Sequence, residues 1–325
     1  MRYPTKVSRR TPTPGNLSVS RLPAIVAIAT LATALGGCQS VQLPSLPNFN
    51  ASSGPAPVME PAQLPTFHVG DKYYYSNGAR EQVVSIDGET VNKISVSGRK
   101  LTDFRNFILP QPYAEGSTKE YFAATNSPTN VLWPLSVGKS ERFSTEGRTV
   151  TKETGNASEY MQRWQCEIAG TEHIRVLAGE FDTYRVECKR YSVSNTWWQN
   201  RTWYYAPSIG TYVLRRDFYK SSGEYIRELT AVRPSLDDLS DDVRQNVIHT
   251  WQDALENKQS GETKSWTDKK TKTSVQVEPL QTYRAQNGQF CRTYKQYLTR
   301  KEVTRFYTGV ACRTGKLKWR TPSRG

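Results

Sequence analysis

The sequence predicts a mainly β protein, in which an antiparallel β-meander or curved sheet precedes a small α+β domain. Three observations support this fold class. Short runs of β-branched and aromatic residues alternate with turn dipeptides over most of the chain, and a convincing helical pattern occurs only after residue 234. The 325 residues exceed the roughly 250 to 300 that one core usually supports, so two folded domains are expected. The 18 Tyr, 10 Phe and 8 Trp residues supply large buriable surfaces.

The N-terminus has the pattern of a signal peptide. Its first 21 residues carry five basic side chains and no acidic one, and an apolar stretch runs from Leu22 to Gly37. These sixteen weakly apolar residues are fewer than the roughly 20 that a membrane-spanning helix needs. We therefore predict that residues 1–37 are cleaved as a signal peptide, and a retained membrane anchor is the alternative.

The end of this stretch, Leu35-Gly36-Gly37-Cys38, resembles the lipobox of bacterial lipoproteins. The resemblance implies that Cys38 becomes the mature N-terminus and carries fatty acyl chains, such as palmitate, on its sulfur and amine. Such an anchor holds the protein in the membrane lipid almost permanently, because each buried methylene of the acyl chains contributes about 0.8 kcal/mol to membrane binding. Gln39 stands where lipoproteins of the inner membrane often have Asp, which implies sorting to the outer membrane. An ordinary secretory signal that ends in a chance cysteine is the alternative.

The next segments predict a tether and a β-rich domain. Residues 38–66 are rich in Pro and Ser without periodicity, which is typical of a disordered tether. From residue 67 to residue 234, turn signals such as Asn77-Gly78, Asp87-Gly88 and Ser222-Gly223 separate strand-like runs. This pattern predicts an antiparallel domain over 67–234, built as a sandwich, a barrel or a strongly curved sheet.

Residues 236–325 predict one amphipathic helix packed on an antiparallel sheet. Ser240 is a candidate N-cap, and two acids follow it in the first turn of the helix. Apolar residues then recur at spacings of three and four, which is typical of a helix that buries one face. They are Val243, Val247, Trp251, Ala254 and Leu255. Strand-like runs with turns such as Asn287-Gly288 follow and predict the sheet beneath the helix.

The charge distribution indicates the kind of partner. The whole chain has a net charge of +14, and residues 235–325 alone carry +7. Nucleic acid is an implausible partner for a tethered envelope protein, so anionic polymers of the envelope or other outer-membrane proteins are the better candidates. A basic face that only contacts solvent is the alternative.

One pair of cysteines is predicted from hairpin geometry. Beyond Cys38, four thiols remain in an oxidising compartment, and four thiols allow three pairings. A hairpin that turns at Lys301-Glu302 places Cys291 directly opposite Cys312, where the two side chains are close enough for a bridge.

The other pair follows from a second hairpin. Cys166 and Cys188 flank the turn at 177–179 almost symmetrically, and a β-bulge at Ala169-Gly170 would align them. We expect one disulfide in each domain. No Cys-x-x-Cys spacing and no Cys/His cluster is present in the sequence, so no metal site is predicted.

The C-terminal segment carries two related motifs, Gly288-Gln289-Phe290-Cys291-Arg292 and Gly309-Val310-Ala311-Cys312-Arg313. With the Trp251 helix, they resemble the C-terminal domain of the seventeen-kilodalton outer-membrane surface antigen family of alphaproteobacteria and rickettsiae. Members of that family are lipoproteins, so the resemblance implies an envelope location and a fold more than an activity. Many members also carry a glycine zipper before this domain. The zipper is missing from this sequence, so membrane insertion through it is not expected.

The sequence offers aromatic residues for binding and few residues for catalysis. Ser136-Val137-Gly138-Lys139 matches the S-x-x-K pattern, but it lies in a glycine turn and lacks the companion motifs of that site. His68, His173 and His249 lie far apart, so we expect a non-enzymatic protein without a cofactor. Four aromatic residues are candidates for stacking against a sugar ring or an acyl chain, and cross-strand packing is their alternative role. They are Trp197, Trp198, Trp203 and Tyr205.

Together these patterns predict an outer-membrane lipoprotein that acts as a structural or binding component of the cell envelope, like a surface antigen. One alternative is a periplasm-facing carrier or sensor that binds a lipid or an envelope glycan in its β-rich domain. A hydrolase with an unrecognised site is a further alternative.

Overall fold

The computed structural model describes residues 55–322, which belong to one compact unit. The predicted signal peptide, Cys38 and residues 38–54 of the predicted tether lie outside the described residues. The first twelve strands are β1 (Lys72–Tyr75), β2 (Arg80–Asp87), β3 (Thr90–Ser95), β4 (Lys100–Phe104), β5 (Tyr113–Glu115), β6 (Lys119–Thr125), β7 (Ser140–Thr151), β8 (Ala157–Val176), β9 (Gly179–Ser192), β10 (Trp197–Ala206), β11 (Thr211–Tyr219) and β12 (Gly223–Arg233).

Helix α1 (Asp241–Asn257) follows, and then come β13 (Lys264–Asp268), β14 (Thr273–Arg284), β15 (Phe290–Arg300), β16 (Val303–Gly315) and β17 (Lys318–Arg320). The predicted mainly β fold with one helix near its C-terminal strands is confirmed. Between residues 55 and 322, no helix has the length and apolarity to cross a bilayer.

Strands β1 to β12 form a closed antiparallel barrel. Each strand pairs with the next along the chain, and β1 also pairs with β12, where Tyr73 lies opposite Val232. Tight turns make the neighbouring pairs possible. At the β1–β2 turn, Gly78 has a φ of +84°, a conformation that costs glycine no steric strain. Ring closure leaves these strands without a free sheet edge over the paired residues.

The described end of the predicted tether is packed on this sheet. Ala62 is buried and forms an isolated β-bridge with Leu135. The Tyr184 hydroxyl donates a hydrogen bond to the carbonyl of Glu60 at 2.9 Å. Contacts with the sheet therefore begin before residue 66. An extended segment without hydrophobic periodicity can still pack in this way when its backbone groups find hydrogen-bond partners.

The helix and the last strands form a second layer beside the barrel. Helix α1 contacts β13, β14 and β17, and its buried residues are the predicted apolar stripe together with Thr250. Ser240 is the N-cap residue, but its side chain makes no capping hydrogen bond, so the predicted hydroxyl cap is absent. At the other end, the Arg292 guanidinium donates to the carbonyls of Leu255 at 2.9 Å and Lys258 at 2.7 Å. An arginine on β15 thus satisfies the free carbonyls of the helix.

The two sheets are joined at β12. Ala231 pairs with Gly309 of β16, and a Cβ atom built on Gly309 would lie 2.4 Å from the Cβ of Ala231. The two strands approach this closely only because position 309 is glycine. One buried cluster contains Leu229 of the barrel and Trp251 of the helix. The division into domains at 67–234 and 236–325 stays a prediction, and the two segments share this core.

Both cysteine pairs form disulfides. Cys291 lies opposite Cys312 in the β15–β16 hairpin, with their Cα atoms 4.0 Å apart. Cys166 lies opposite Cys188, with a Cα separation of 4.1 Å, and the register shifts between Ile168 and Gly170. The hairpin registers and the bulge are therefore those that the sequence predicts.

Candidate functional site

A set of polar and aromatic side chains lies at one end of the inner face of the barrel. Directly paired residues of neighbouring strands point to the same face of a sheet. Arg190 of β9 pairs with Trp164 on one side and with Gln199 on the other, and Gln199 pairs with Tyr219. Trp164 belongs to the buried interior cluster, so the whole row faces the interior. We call this end of the barrel the Arg190 end.

A buried carboxylate organises the next row. Asp217 is 2 % exposed and lies opposite Arg201. It accepts a hydrogen bond of 2.6 Å from Nε2 of Gln199, forms an ion pair with Arg201, and lies 2.9 Å from Nε of Arg215. One carboxylate therefore faces two guanidinium groups. Gln199 is wholly buried, and its Oε1 has no hydrogen-bond partner among residues 55–322.

Arg190 has no ion-pair partner among the acidic side chains of residues 55–322. Its guanidinium carbon lies 5.6 Å from the ring centre of Trp164, 5.8 Å from that of Trp198 and 5.9 Å from that of Tyr219. No carboxylate of the described chain forms an ion pair with Arg190, and its buried Nε has no hydrogen-bond partner there. Burial and then the charge of Arg201 lower the pKa of Arg190. A partly buried and unpaired cation is costly, so this position favours an anion.

Exposed aromatic rings border this cation. Trp198 is 46 % exposed and Tyr225 is 56 % exposed. The rings of Tyr219 and Tyr225 meet edge to face with their centres 5.6 Å apart. Tyr225 pairs with Asp217, which places it on the inner face as well. The Arg190 end therefore offers a positive charge beside open aromatic faces, which suits an anionic ligand that has an apolar ring face.

The four residues predicted to stack on a ligand lie in three different environments. Trp198 lies at the Arg190 end, next to a bulge between Trp197 and Gln199. Trp197 lies on the outer face, where its ring stacks on Phe218 at 6.1 Å. Trp203 and Tyr205 are each 2 % exposed and belong to the interior cluster. Only Trp198 of the four combines exposure with a position on this site.

A second charged network lies deeper on the inner face and is balanced. Lys93 lies 2.7 Å from Oδ2 of Asp103 and 3.3 Å from Oε2 of Glu81, and Arg227 also pairs with Glu81. Although burial opposes it, the charges of Arg227 and Lys93 hold the pKa of Glu81 at about 2. Two cations thus face two carboxylates, which is a structural arrangement. The excess positive charge lies at the Arg190 end.

A separate cavity of about 320 Å³ lies beside β1 and β16, and His68 and Arg305 are among its lining residues. Asp71 also lines it and accepts hydrogen bonds from the Tyr307 hydroxyl at 3.3 Å and from the Ser235 backbone at 3.2 Å. Burial raises the pKa of Asp71 to about 6, and burial and the charge of Arg305 lower the pKa of His68. Asp71 links the barrel to the second sheet.

The three histidines lie on different elements. Nδ1 of His173 is 2.7 Å from Oδ1 of Asp182 on the exposed β8–β9 hairpin, and His249 is exposed on α1. Within the described part of the chain, no group of His, Cys, Asp and Glu side chains is arranged to hold a metal ion.

Sequence reasoning did not single out Arg190, Arg201 or Asp217. One available signal was the alternation of Gln199, Arg201 and Trp203, which places polar and aromatic residues on one strand face. Their convergence also depends on the registers of β9, β10 and β11, which bring Arg190 and Asp217 to the same end of the sheet although they lie 27 positions apart.

The comparisons with known proteins concern the fold and the C-terminal segment. No curated protein matches the chain. Among solved structures, the crystal structure of the hypothetical lipoprotein YmcC from Escherichia coli K12 is similar, with a TM-score of 0.38 and 11 % sequence identity. The alignment covers 50 % of this chain and 83 % of that chain. A family model described as 17 kDa outer membrane surface antigen matches residues 253–320, from the second half of α1 to β17. The resemblance carried by the two Cys-Arg motifs is thereby confirmed for the C-terminal segment.

Proposed function

We propose that this protein is a lipid-anchored component of the bacterial outer membrane that binds an anionic envelope ligand without enzymatic activity. The observation that carries the binding role is the guanidinium of Arg190, which has no ion-pair partner among residues 55–322, beside the exposed ring of Trp198.

The proposed location rests on three independent features. The lipobox-like residues that end at Cys38 support a lipid anchor, and Gln39 supports sorting to the outer membrane. The surface-antigen match at residues 253–320 supports the same compartment. The two disulfides agree with an oxidising environment outside the cytoplasm.

The binding role rests on electrostatics. Three arginines face one carboxylate at the Arg190 end, and Asp217 is already engaged by Gln199 and by two of these arginines. An anionic group that enters the site would offset the desolvation free energy of the partly buried Arg190 guanidinium, since charge-assisted hydrogen bonds to guanidinium are among the strongest in proteins.

The same groups support binding rather than catalysis. Guanidinium groups stay protonated at neutral pH and cannot act as general bases. Asp217, the carboxylate in this row, is buried and ion-paired, so it is poorly placed to accept a proton from a ligand.

The test of the anchor is the Cys38→Ser variant. The full chain is expressed in a Gram-negative host, and intact mass and membrane fractionation are measured for both proteins. We expect the parent to carry a diacylglycerol and acyl chain at Cys38 and to be recovered with the outer membrane, and the variant to lack lipid. An unmodified parent, or one secreted into the medium, contradicts the proposal.

The test of the binding role is calorimetric titration of the full chain in detergent with anionic and neutral probes. Binding of any anionic probe that weakens as salt concentration rises supports the role, because salt screens the cation. If no anion binds at low ionic strength, the binding role is refuted.

A further inference from the structure

We infer that the ligand of the Arg190 end is an acidic saccharide, whose sugar ring stacks on Trp198 while its carboxylate pairs with Arg190. This inference rests on the proposed binding role and names the chemical class of the ligand.

The first argument is the spacing between charge and ring. The Arg190 guanidinium lies 5.8 Å from the ring centre of Trp198 and 5.9 Å from that of Tyr219. In an acidic sugar, the carboxylate carbon is bonded directly to the sugar ring. A single sugar unit can therefore lay its ring on Trp198 and place its charge on Arg190 at the same time.

The second argument is the shape of the surrounding surface. Trp198 and Tyr225 expose about half of their surface, and Tyr219 contacts Tyr225 and lies 5.9 Å from the Arg190 guanidinium. Indole and phenol rings combine a flat apolar face with a polar edge. That combination matches a sugar, which has an apolar ring face and hydroxyl groups around its rim.

The third argument separates a sugar from a lipid. An acyl chain needs an apolar channel behind its charged headgroup. In the same row as Arg190, the barrel interior is filled, because the rings of Trp164 and Phe143 stack at 6.3 Å and both residues are at most 5 % exposed. Trp203 lies one row beyond Arg201 and Asp217 and is 2 % exposed. The closed interior leaves the ligand on the surface of this end, which favours a sugar over an acyl chain.

The neighbouring charges explain why Arg190 is available to pair with the carboxylate of a ligand. Gln199 and Arg201 hold Asp217 from two sides, and Arg215 approaches its other oxygen. Asp217 is thus occupied, and Arg190 remains without an anionic partner among the described residues. Gln199, Arg201 and Asp217 are positioning residues in this scheme.

The experiment compares four probes on the full chain in detergent by calorimetric titration. Trigalacturonate and a sialic-acid trimer are the acidic saccharides, maltotriose is the neutral one, and glycerol phosphate represents a lipid headgroup. We expect at least one acidic saccharide to bind at least tenfold more tightly than maltotriose and glycerol phosphate, because it uses both the ring and the charge.

Matched variants locate the binding. Arg190→Gln and Trp198→Ala should each weaken binding of the acidic saccharide about tenfold. Arg216→Gln and Trp197→Ala are the controls, because Arg216 lies on the outer face of β11 beside Glu224, and Trp197 lies on the outer face of β10 beside Phe218. Circular dichroism of each variant verifies its fold. If Arg190→Gln does not fold, Arg190→Lys replaces it, since lysine keeps the charge but loses the bidentate geometry, and binding should still weaken.

Five results would overturn the inference. If maltotriose bound as tightly as the acidic saccharides, the charge of the ligand would not contribute to recognition. If the control variants weakened binding of the acidic saccharide, the ligand would lie elsewhere. Unchanged affinity in both Arg190→Gln and Trp198→Ala would also exclude this end as the site. Tight binding of glycerol phosphate with no acidic saccharide bound would refute the sugar while leaving the anion-binding role intact. Failure of all anionic probes refutes both proposals.

Discussion

The buried carboxylate of Glu228 gives a prediction about the pH dependence of stability. Glu228 is 5 % exposed on β12, and it accepts a hydrogen bond from the backbone N–H of Leu177. Burial raises its pKa from 4.5 to about 7, although the Leu177 hydrogen bond opposes the rise. The native state therefore favours the protonated form of Glu228 more strongly than the unfolded state does.

The sign and size follow from linkage. The stability that Glu228 contributes is fully present below pH 4.5, and it is lost as the pH rises through about 7. The rise of the Glu228 pKa from 4.5 to about 7, at about 1.4 kcal/mol for each pH unit, corresponds to about 3.5 kcal/mol of the free energy of unfolding. Asp71, whose pKa is raised to about 6 by burial, adds a loss of the same sign at lower pH.

Glu228→Gln removes the charge and keeps an oxygen that can accept the Leu177 hydrogen bond. We expect the variant to be more stable than the parent at pH 8, by up to about 3.5 kcal/mol, and to have no such advantage at pH 4.5. Urea unfolding of the full chain in detergent, followed by tryptophan fluorescence, measures this difference at each pH. Glu153→Gln is the control, because Glu153 is exposed in the turn between β7 and β8. A difference between parent and Glu228→Gln that stays constant from pH 4.5 to pH 8 would refute the reasoning.

Three further predictions concern stability. Replacing both Cys166 and Cys188 with Ala should lower the free energy of unfolding by about 2 to 4 kcal/mol in urea titrations, and an unchanged midpoint would contradict a structural bridge. Trp203→Ala should lower the free energy of unfolding by about 3 to 5 kcal/mol and Trp198→Ala by less than about 1 kcal/mol, because only the indole of Trp203 is buried. Equal losses of stability for the two variants in thermal unfolding would contradict this placement. Ser240→Ala should change stability by less than about 0.5 kcal/mol, since its side chain makes no capping bond, and a loss near 1 kcal/mol by calorimetry would show that the cap forms in solution.

The parts of the fold that depend on local pattern could be predicted from the sequence. The β15–β16 hairpin turns at Lys301-Glu302, and that turn alone fixes Cys291 opposite Cys312. Barrel closure could not be predicted in this way. The pairing of Tyr73 with Val232 joins residues 159 positions apart, and it depends on the curvature accumulated over all the strands between them.

The candidate site could be predicted only in part, for a related reason. Strand alternation alone places Trp197 on the same face as Trp203, and Trp198 on the opposite face. The bulge between Trp197 and Gln199 changes this order, so that Trp198 meets Arg190 on the inner side while Trp197 stacks outside. A one-residue irregularity of this kind leaves no clear mark in the residue types, and yet it decides which tryptophan a ligand can reach.

The junction at β12 has a consequence for shortened versions of this protein. β11 runs beside β12 only as far as Leu214 and Glu228, and beyond that point β16 takes its place next to Ala231 and Val232. A chain that stopped at residue 235 would expose to solvent the backbone groups that this stretch directs toward β16, while β1 still covers its other edge. An exposed strand edge of this kind can pair with strands of other molecules. The C-terminal segment therefore also protects the barrel from self-association by covering this edge.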